Sequence, residues 1–242
     1  MSADKSKIEW TDATWNPVTG CDPVSAGCLH CYAKTMAQRL QAMGSPRYNR
    51  GFEVAVHREI IAQPLTWTKP RVIFVCSMSD LFHEFLGWPV IAQIFETMNT
   101  AAWHTFQILT KRSEILEEAA SRLTWTPNIW AGVTVEEQRY LYRIDHLRKV
   151  PSAIRFVSFE PLLGPMPADL NLTGIHWVIV GGESGPYARP INYQWVLDLR
   201  ETCQRQGVAF FFKQWGGRNK KRNGRLLQGT TYDEMPVAER VK

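Results

Sequence analysis

Three of the five cysteines in this 242-residue chain fall within eleven residues, as Cys21, Cys28 and Cys31 with gaps of six and two. Thiolates are soft donors, and thiols at such spacing bind zinc or an iron–sulfur cluster. A structural zinc site takes four protein ligands, and the chain has no second cysteine pair. His30 is pinned between Cys28 and Cys31, an awkward position for a fourth zinc ligand, and His57 or His83 could serve instead. A cubane cluster on three cysteines leaves one iron open for a substrate or cosubstrate, a chemical reason for three thiols and no more. The loop is rich in turn formers, Gly20, Asp22, Pro23, Ser25 and Gly27, and so is not built to bury apolar thiols. Cys76, within an apolar run, and Cys203, on a helical pattern, read as small core residues. The odd count argues against a disulfide framework.

A second set of reactive groups recurs where apolar runs end. Asp80 follows the run at 71–76, Lys111 and Arg112 follow 105–109, and Thr134 and Glu136 follow 129–133. Glu160 follows 154–159, Glu183 follows 177–180, and Lys213 with Gln214 and Trp215 follows 208–212. Glu160, Glu183 and Lys213 are the candidate catalytic groups. Lys111 and Arg112 suit an anionic substrate such as a nucleic-acid phosphate. Residues 218–225 hold five basic side chains and no acid, which accounts for the whole formal charge of +5. Lys220, Lys221 and Arg222 are therefore candidate phosphate contacts. A metal-dependent hydrolase built on Asp80, Glu160 and Glu183 is the weakest alternative, because His-rich ligand spacing is missing.

To act together these groups must be brought to one place. β-Branched and aromatic runs predict strands at 14–18, 71–76, 105–109, 129–133, 154–159, 177–180 and 208–212. They are continuous rather than alternating, as expected for parallel strands buried on both faces. Helical periods fill 33–43, 89–102, 113–123 (with Ser113 as N-cap), 136–147 and 193–206, the last stopped by Gly207. This alternation predicts an α/β fold whose strand ends share one rim. A doubly wound sheet and a partial or complete β/α barrel both fit. The first strand lacks a Gly-x-Gly-x-x-Gly and the chain lacks a P-loop, which argues against dinucleotide or P-loop chemistry. Residues 1–217 read as a single domain with the metal-binding loop at 21–31, and 218–242 as a basic C-terminal tail. At 45% hydrophobic and 21% charged the composition is globular, and ten Trp need a core or ligand surface to cover them. No stretch approaches the roughly 18 apolar residues of a membrane span, and the first ten residues lack a signal core, so a soluble, cytoplasmic chain without a membrane partner is expected.

The stretch Thr14-Trp-Asn-Pro-Val-Thr-Gly-Cys21, the three-cysteine loop with Tyr32 and Ala33, Phe159-Glu-Pro-Leu-Leu163, Gly181-Gly-Glu-Ser184 and Phe212-Lys-Gln-Trp-Gly216 are carried together here. As a set they resemble the phage-type three-cysteine-motif proteins, a group similar to the radical S-adenosylmethionine (SAM) superfamily and its spore photoproduct lyases. The resemblance covers about residues 8–217; its first cysteine gap of six replaces the three common in the superfamily. It implies a partial β/α (TIM-like) barrel with parallel strands and a 4Fe-4S cluster on the loop after the first strand, ligated by Cys21, Cys28 and Cys31. The open iron would chelate SAM, and one-electron reduction would cleave it to a 5′-deoxyadenosyl radical. His30 would lie near the adenine, Asp80 would meet the methionine amine, Thr134 the ribose, and Glu160 the cosubstrate or substrate. The function implied is an iron–sulfur enzyme of radical SAM type acting on DNA, RNA or a nucleotide-like substrate, served by an electron donor and a partner protein. The alternative is a nucleic-acid-binding module stabilised by zinc or a cluster, without catalysis.

Overall fold

The apolar runs assemble into one parallel sheet in the computed structural model, which describes Ser6 and residues 8–236. Residues 1–5, 7 and 237–242 lie outside the described residues, and with them the outer ends of the expected 1–217 and 218–242 divisions. The single strand expected at 14–18 is two, β1 (Ala13–Trp15) and β2 (Val18–Thr19). Pro17 separates them because it has no N–H to give a ladder; its carbonyl instead accepts from His57 N at 2.7 Å. After α1 (Tyr32–Ala42), β3 (Ala55–Val56) pairs antiparallel with β2 as a separate ribbon.

The remaining elements alternate, except that β7 leads to β8 through residues 160–176 without a helix. They are β4 (Val72–Val75), α2 (Trp88–Thr100), β5 (Thr105–Thr110), α3 (Ser113–Arg122), β6 (Ile129–Thr134), α4 (Tyr142–Arg148), β7 (Arg155–Phe159), β8 (Trp177–Gly181), α5 (Tyr193–Gln206), β9 (Ala209–Gln214) and the short α6 (Lys220–Asn223). Helix α5 runs as expected: Asn192 caps its start by accepting from Gln194 N, and Gly207 ends it at a φ of 66°. Ser113 is not an N-cap; it is the first residue of α3, and its hydroxyl meets His146 Nδ1 at 2.9 Å. The helix expected at 136–147 shortens to α4, because Glu136 is turned inward to the cysteine loop, leaving one 3₁₀ turn (Gln138–Tyr140) between.

Sheet order is β1-β4-β5-β6-β7-β8-β9, parallel throughout and strictly sequential. A doubly wound sheet reverses its order at a switch point; this one never does. Right-handed crossovers then place the helices on one face and leave the other as an interior. Trp10 shows how far the sheet curls. Its ring lies 4.8 Å from Phe74 on β4 and 6.1 Å from Trp177 on β8, so those two rings are no more than about 11 Å apart. Four strand spacings on a flat sheet would separate them by about 19 Å. Among the described residues β1 and β9 do not pair, so the α/β barrel is partial.

Side-chain alternation divides the core in two. Trp15, Ile73, Val75, Ile108, Val133, Phe159, Val180 and Phe212 pack toward the helices. Phe74, Trp130, Phe156, Trp177, Ile179 and Phe211 fill the interior with Trp10. Beyond Asn223 the chain returns along β9: Phe212 N donates to Tyr232 O and Trp177 Nε1 to Glu234 O, at 2.9 and 2.8 Å. Among the described residues no helix is long and apolar enough to cross a membrane.

Candidate functional site at the C-terminal rim

The aromatic filling stops short of the C-terminal strand ends, where the cysteine loop lies. The loop enters through Gly20 at a φ of 84°, where a Cβ would stand 2.1 Å from Glu53 O. Cys21, Cys28 and Cys31 are half-buried, whereas Cys76 and Cys203 are sealed in the core. Burial pushes the Cys76 and Cys203 thiols up to about 12. Burial, with Asp80 nearby, raises Cys21 to about 11, and Arg112 opposes that rise by donating to its Sγ from Nη1 at 3.4 Å. Cys28 Sγ lies 3.6 Å from Ser25 Oγ, and Cys31 immediately precedes α1. Among the described residues no three Cys, His, Asp or Glu side chains converge as a formed metal site. What fits a cluster is the donor chemistry: three soft thiols, all partly accessible, on one short loop.

Buried rim residues hold this loop down. Fully buried Glu136 accepts from Ser25 Oγ at 2.5 Å and from Arg143 Nη1 at 2.9 Å, with Lys111 Nζ 3.6 Å away. At Gly27 a Cβ would meet Glu136 Oε1 at 2.4 Å, so a larger residue there would displace the carboxylate that holds Ser25. Ala26 N donates to Tyr140 Oη at 3.3 Å, and Ala26 O accepts from Arg189 Nη2 at 2.9 Å. Arg189 also grips Glu183, through Nη2 at 2.6 Å and through Nε and its own N–H at 2.9 Å. Burial would push the Glu183 carboxyl up, but these bonds outweigh it and hold the group below the ordinary carboxylate range.

A second network lies beneath Cys21. Asp80 Oδ1 accepts from Thr110 Oγ1 at 2.7 Å and Phe82 N at 3.0 Å; Oδ2 accepts from Lys111 N at 3.1 Å and Arg112 Nη1 at 3.4 Å. Arg112 donates further to Glu84 at 2.8 Å and to Asp22 O at 3.3 Å. It is 4% exposed, so this guanidinium faces inward rather than toward a phosphate in solution.

Glu160 and Lys213 come together from β7 and β9 at 3.2 Å, and Ser158 Oγ donates to Glu160 at 3.3 Å. Gly181 on the intervening strand makes room, since a Cβ there would sit 2.4 Å from Glu160 Oε1. Thr134 is buried at the end of β6, its carbonyl accepting from Arg143 at 2.8 Å. The half-exposed His30 ring lies 6.0 Å from that of Tyr187. Lys220, Lys221 and Arg222 are exposed on α6, whereas Arg225 of the same basic run turns inward to Phe212 O and Asp233. Trp215 stacks on Tyr193 of α5 at 5.6 Å.

The anchors Arg143, Arg189 and Tyr140 escaped the sequence reading. Arg189 is one arginine in a Pro- and Gly-containing loop, with no local signal that its partners are Glu183 and a carbonyl 163 positions away.

Among solved structures the chain is similar to spore photoproduct lyase complexed with dinucleoside spore photoproduct, with a TM-score of 0.48 and 13% identity over 84% of this chain and 63% of that one. A mutant of that lyase with bound AdoMet and dinucleoside spore photoproduct aligns with a TM-score of 0.47 and 11% identity over 79% and 60%. The chain thus spans less than two thirds of either structure's length. No curated protein matches it. A family model described as "Protein of unknown function (DUF5131)" matches residues 5–236, and with that coverage the chain belongs to the DUF5131 family.

Proposed function

We propose that this protein is an iron–sulfur enzyme of the radical SAM type, with a 4Fe-4S cluster on Cys21, Cys28 and Cys31, acting on a nucleic acid or nucleotide-like substrate. One observation carries this: three partly accessible thiols share a loop over the C-terminal rim of a partial parallel barrel, while both other cysteines are sealed in the core. The motifs' resemblance to the phage-type three-cysteine proteins and the radical SAM superfamily supports it. A three-thiolate cluster with an open iron supplies, when bound, the one-electron reductive cleavage of SAM.

The chain's own residues bind, orient and protect. Arg189 and Glu183 fasten the thiol loop from one side and Glu136 from another, while Asp80 fixes the guanidinium that touches Cys21. Asp80 and Glu183 therefore act as positioning residues. Glu160 and Lys213, paired at the mouth of the interior, are the groups assigned to hold or move a proton at the substrate. His30 and Thr134 are assigned the adenosine, and the exposed Lys220, Lys221 and Arg222 the substrate's phosphates. An electron donor and a partner protein complete the proposal.

The test is the metal content of protein made and purified without oxygen. Iron and sulfide near four per chain are expected. Cys21→Ala, Cys28→Ala and Cys31→Ala should each abolish them, and Cys76→Ala and Cys203→Ala should not. A colourless protein carrying one zinc would overturn the proposal in favour of a metal-stapled binding module.

A further inference from the structure

We propose that Tyr187 is a base-stacking step on a single-stranded nucleic-acid path running from the basic face of α6 toward the thiol loop, deepening the nucleic-acid part of the function proposed above. Tyr187 is 77% exposed. Exposure alone says little, since solitary apolar residues are common on surfaces. What distinguishes this one is how firmly its loop is held. Two residues on, Arg189 makes three bonds to Glu183 and one to Ala26 O, and Ala188 N donates to Gly185 O at 3.2 Å. The ring is thus presented to solvent on a fixed arm, with His30 of the thiol loop 6.0 Å away at 31°.

The same loop is bonded to the segment that leads into α6. Gly185 N donates to Gly217 O at 3.1 Å, Gly217 N to Glu183 O at 2.7 Å, and Asn223 Nδ2 to Gly216 O at 2.8 Å. Tyr187 stands two residues from one side of this junction and Arg218 one residue from the other. Arg218, Lys220, Lys221 and Arg222 are exposed, with no acid between 218 and 225. The rim carboxylates Glu183 and Glu160 are already matched, by Arg189 and Lys213. An exposed aromatic ring on a loop bonded to the segment that carries these cations suits one ligand chemistry: unpaired bases that stack and phosphates that pair. A duplex hides its base faces, so the fitting occupant is single-stranded.

The experiment uses anaerobically prepared whole protein and fluorescence anisotropy with two probes, an oligothymidylate of about a dozen nucleotides and an abasic strand of equal length. Tyr187→Ala should weaken the oligothymidylate by about five- to 150-fold, as for loss of one base stack, and leave the abasic strand unchanged. Tyr187→Phe should bind as wild type. Neutralising Lys220, Lys221 and Arg222 should weaken both probes. Equal wild-type affinity for the two strands, or Tyr187→Ala binding both as wild type, would overturn the stacking role while leaving the phosphate contacts standing. Displacement of both probes alike by polyglutamate, with no effect of Tyr187→Ala, would mark the surface as an acidic-peptide site instead. If wild type bound neither strand, the nucleic-acid part of the proposed function would fall together with this inference.

Discussion

Arg112→Met removes the cation that three elements share beneath Cys21. The arginine side chain is 5% exposed and that of Asp80 8%, so the substitution strands a carboxylate in a nearly dry site. Removing one partner of a buried ion pair costs about 3–5 kcal/mol. Asp80 keeps donors from Thr110, Phe82 and Lys111, which places the cost near the lower end, about 3 kcal/mol. Glu84, at 56% side-chain exposure, returns to water at little cost. For a chain of this size about 3 kcal/mol lowers the Tm by about 6–12 °C. Urea unfolding followed by tryptophan fluorescence gives the free energy directly. Adding Asp80→Asn should recover about 2 kcal/mol, because the orphaned charge is removed with its partner. A loss below about 1 kcal/mol for Arg112→Met, or a double variant no better than the two single losses added, would refute the claim that this pair is buried and coupled.

Gly181→Ala pushes the flexible Glu160 carboxylate off Lys213 and should cost about 1 kcal/mol or less in urea unfolding, the loss of one partly exposed ion pair, and nothing further in a Glu160→Ala background; a cost that persists in that background would place the strain in the strand itself. Arg189 holds the folded Glu183 carboxyl below its ordinary value of 4.5, so its stabilisation is complete above that value and lost as pH falls through the folded value. Glu183→Gln should therefore flatten the acid limb of a pH-dependent unfolding series monitored by circular dichroism, and an unchanged limb would contradict the Arg189 clamp. Neutralising Lys220, Lys221 and Arg222 should lower the log–log salt slope of nucleic-acid binding by about two to three units; a wild-type slope would make the run a solubilising loop.

The parallel sheet was legible because both its faces are buried, so each strand announces itself as an apolar run bounded by polar residues. The choice between a reversing and a sequential order was not, since it depends on which face each crossover takes, a tertiary matter. The split at Pro17 had a local signal in the missing N–H. The segment 44–71 had none: its turns at Pro46–Tyr48, Arg58–Ile60 and Gln63–Thr66 are too short to show a period. Clustering alone singled out Cys21, Cys28 and Cys31. The pairing of Arg112 with Asp80 was not legible, because the two meet only once β4 and β5 lie side by side.

The central claim is tested most directly by electron paramagnetic resonance of the anaerobic, reduced protein with and without SAM, together with assay of 5′-deoxyadenosine. A reduced 4Fe-4S signal that SAM perturbs, lost in Cys21→Ala and accompanied by reductant-dependent 5′-deoxyadenosine, is the predicted result. A cluster signal indifferent to SAM with no cleavage product, or no cluster at all, would contradict it.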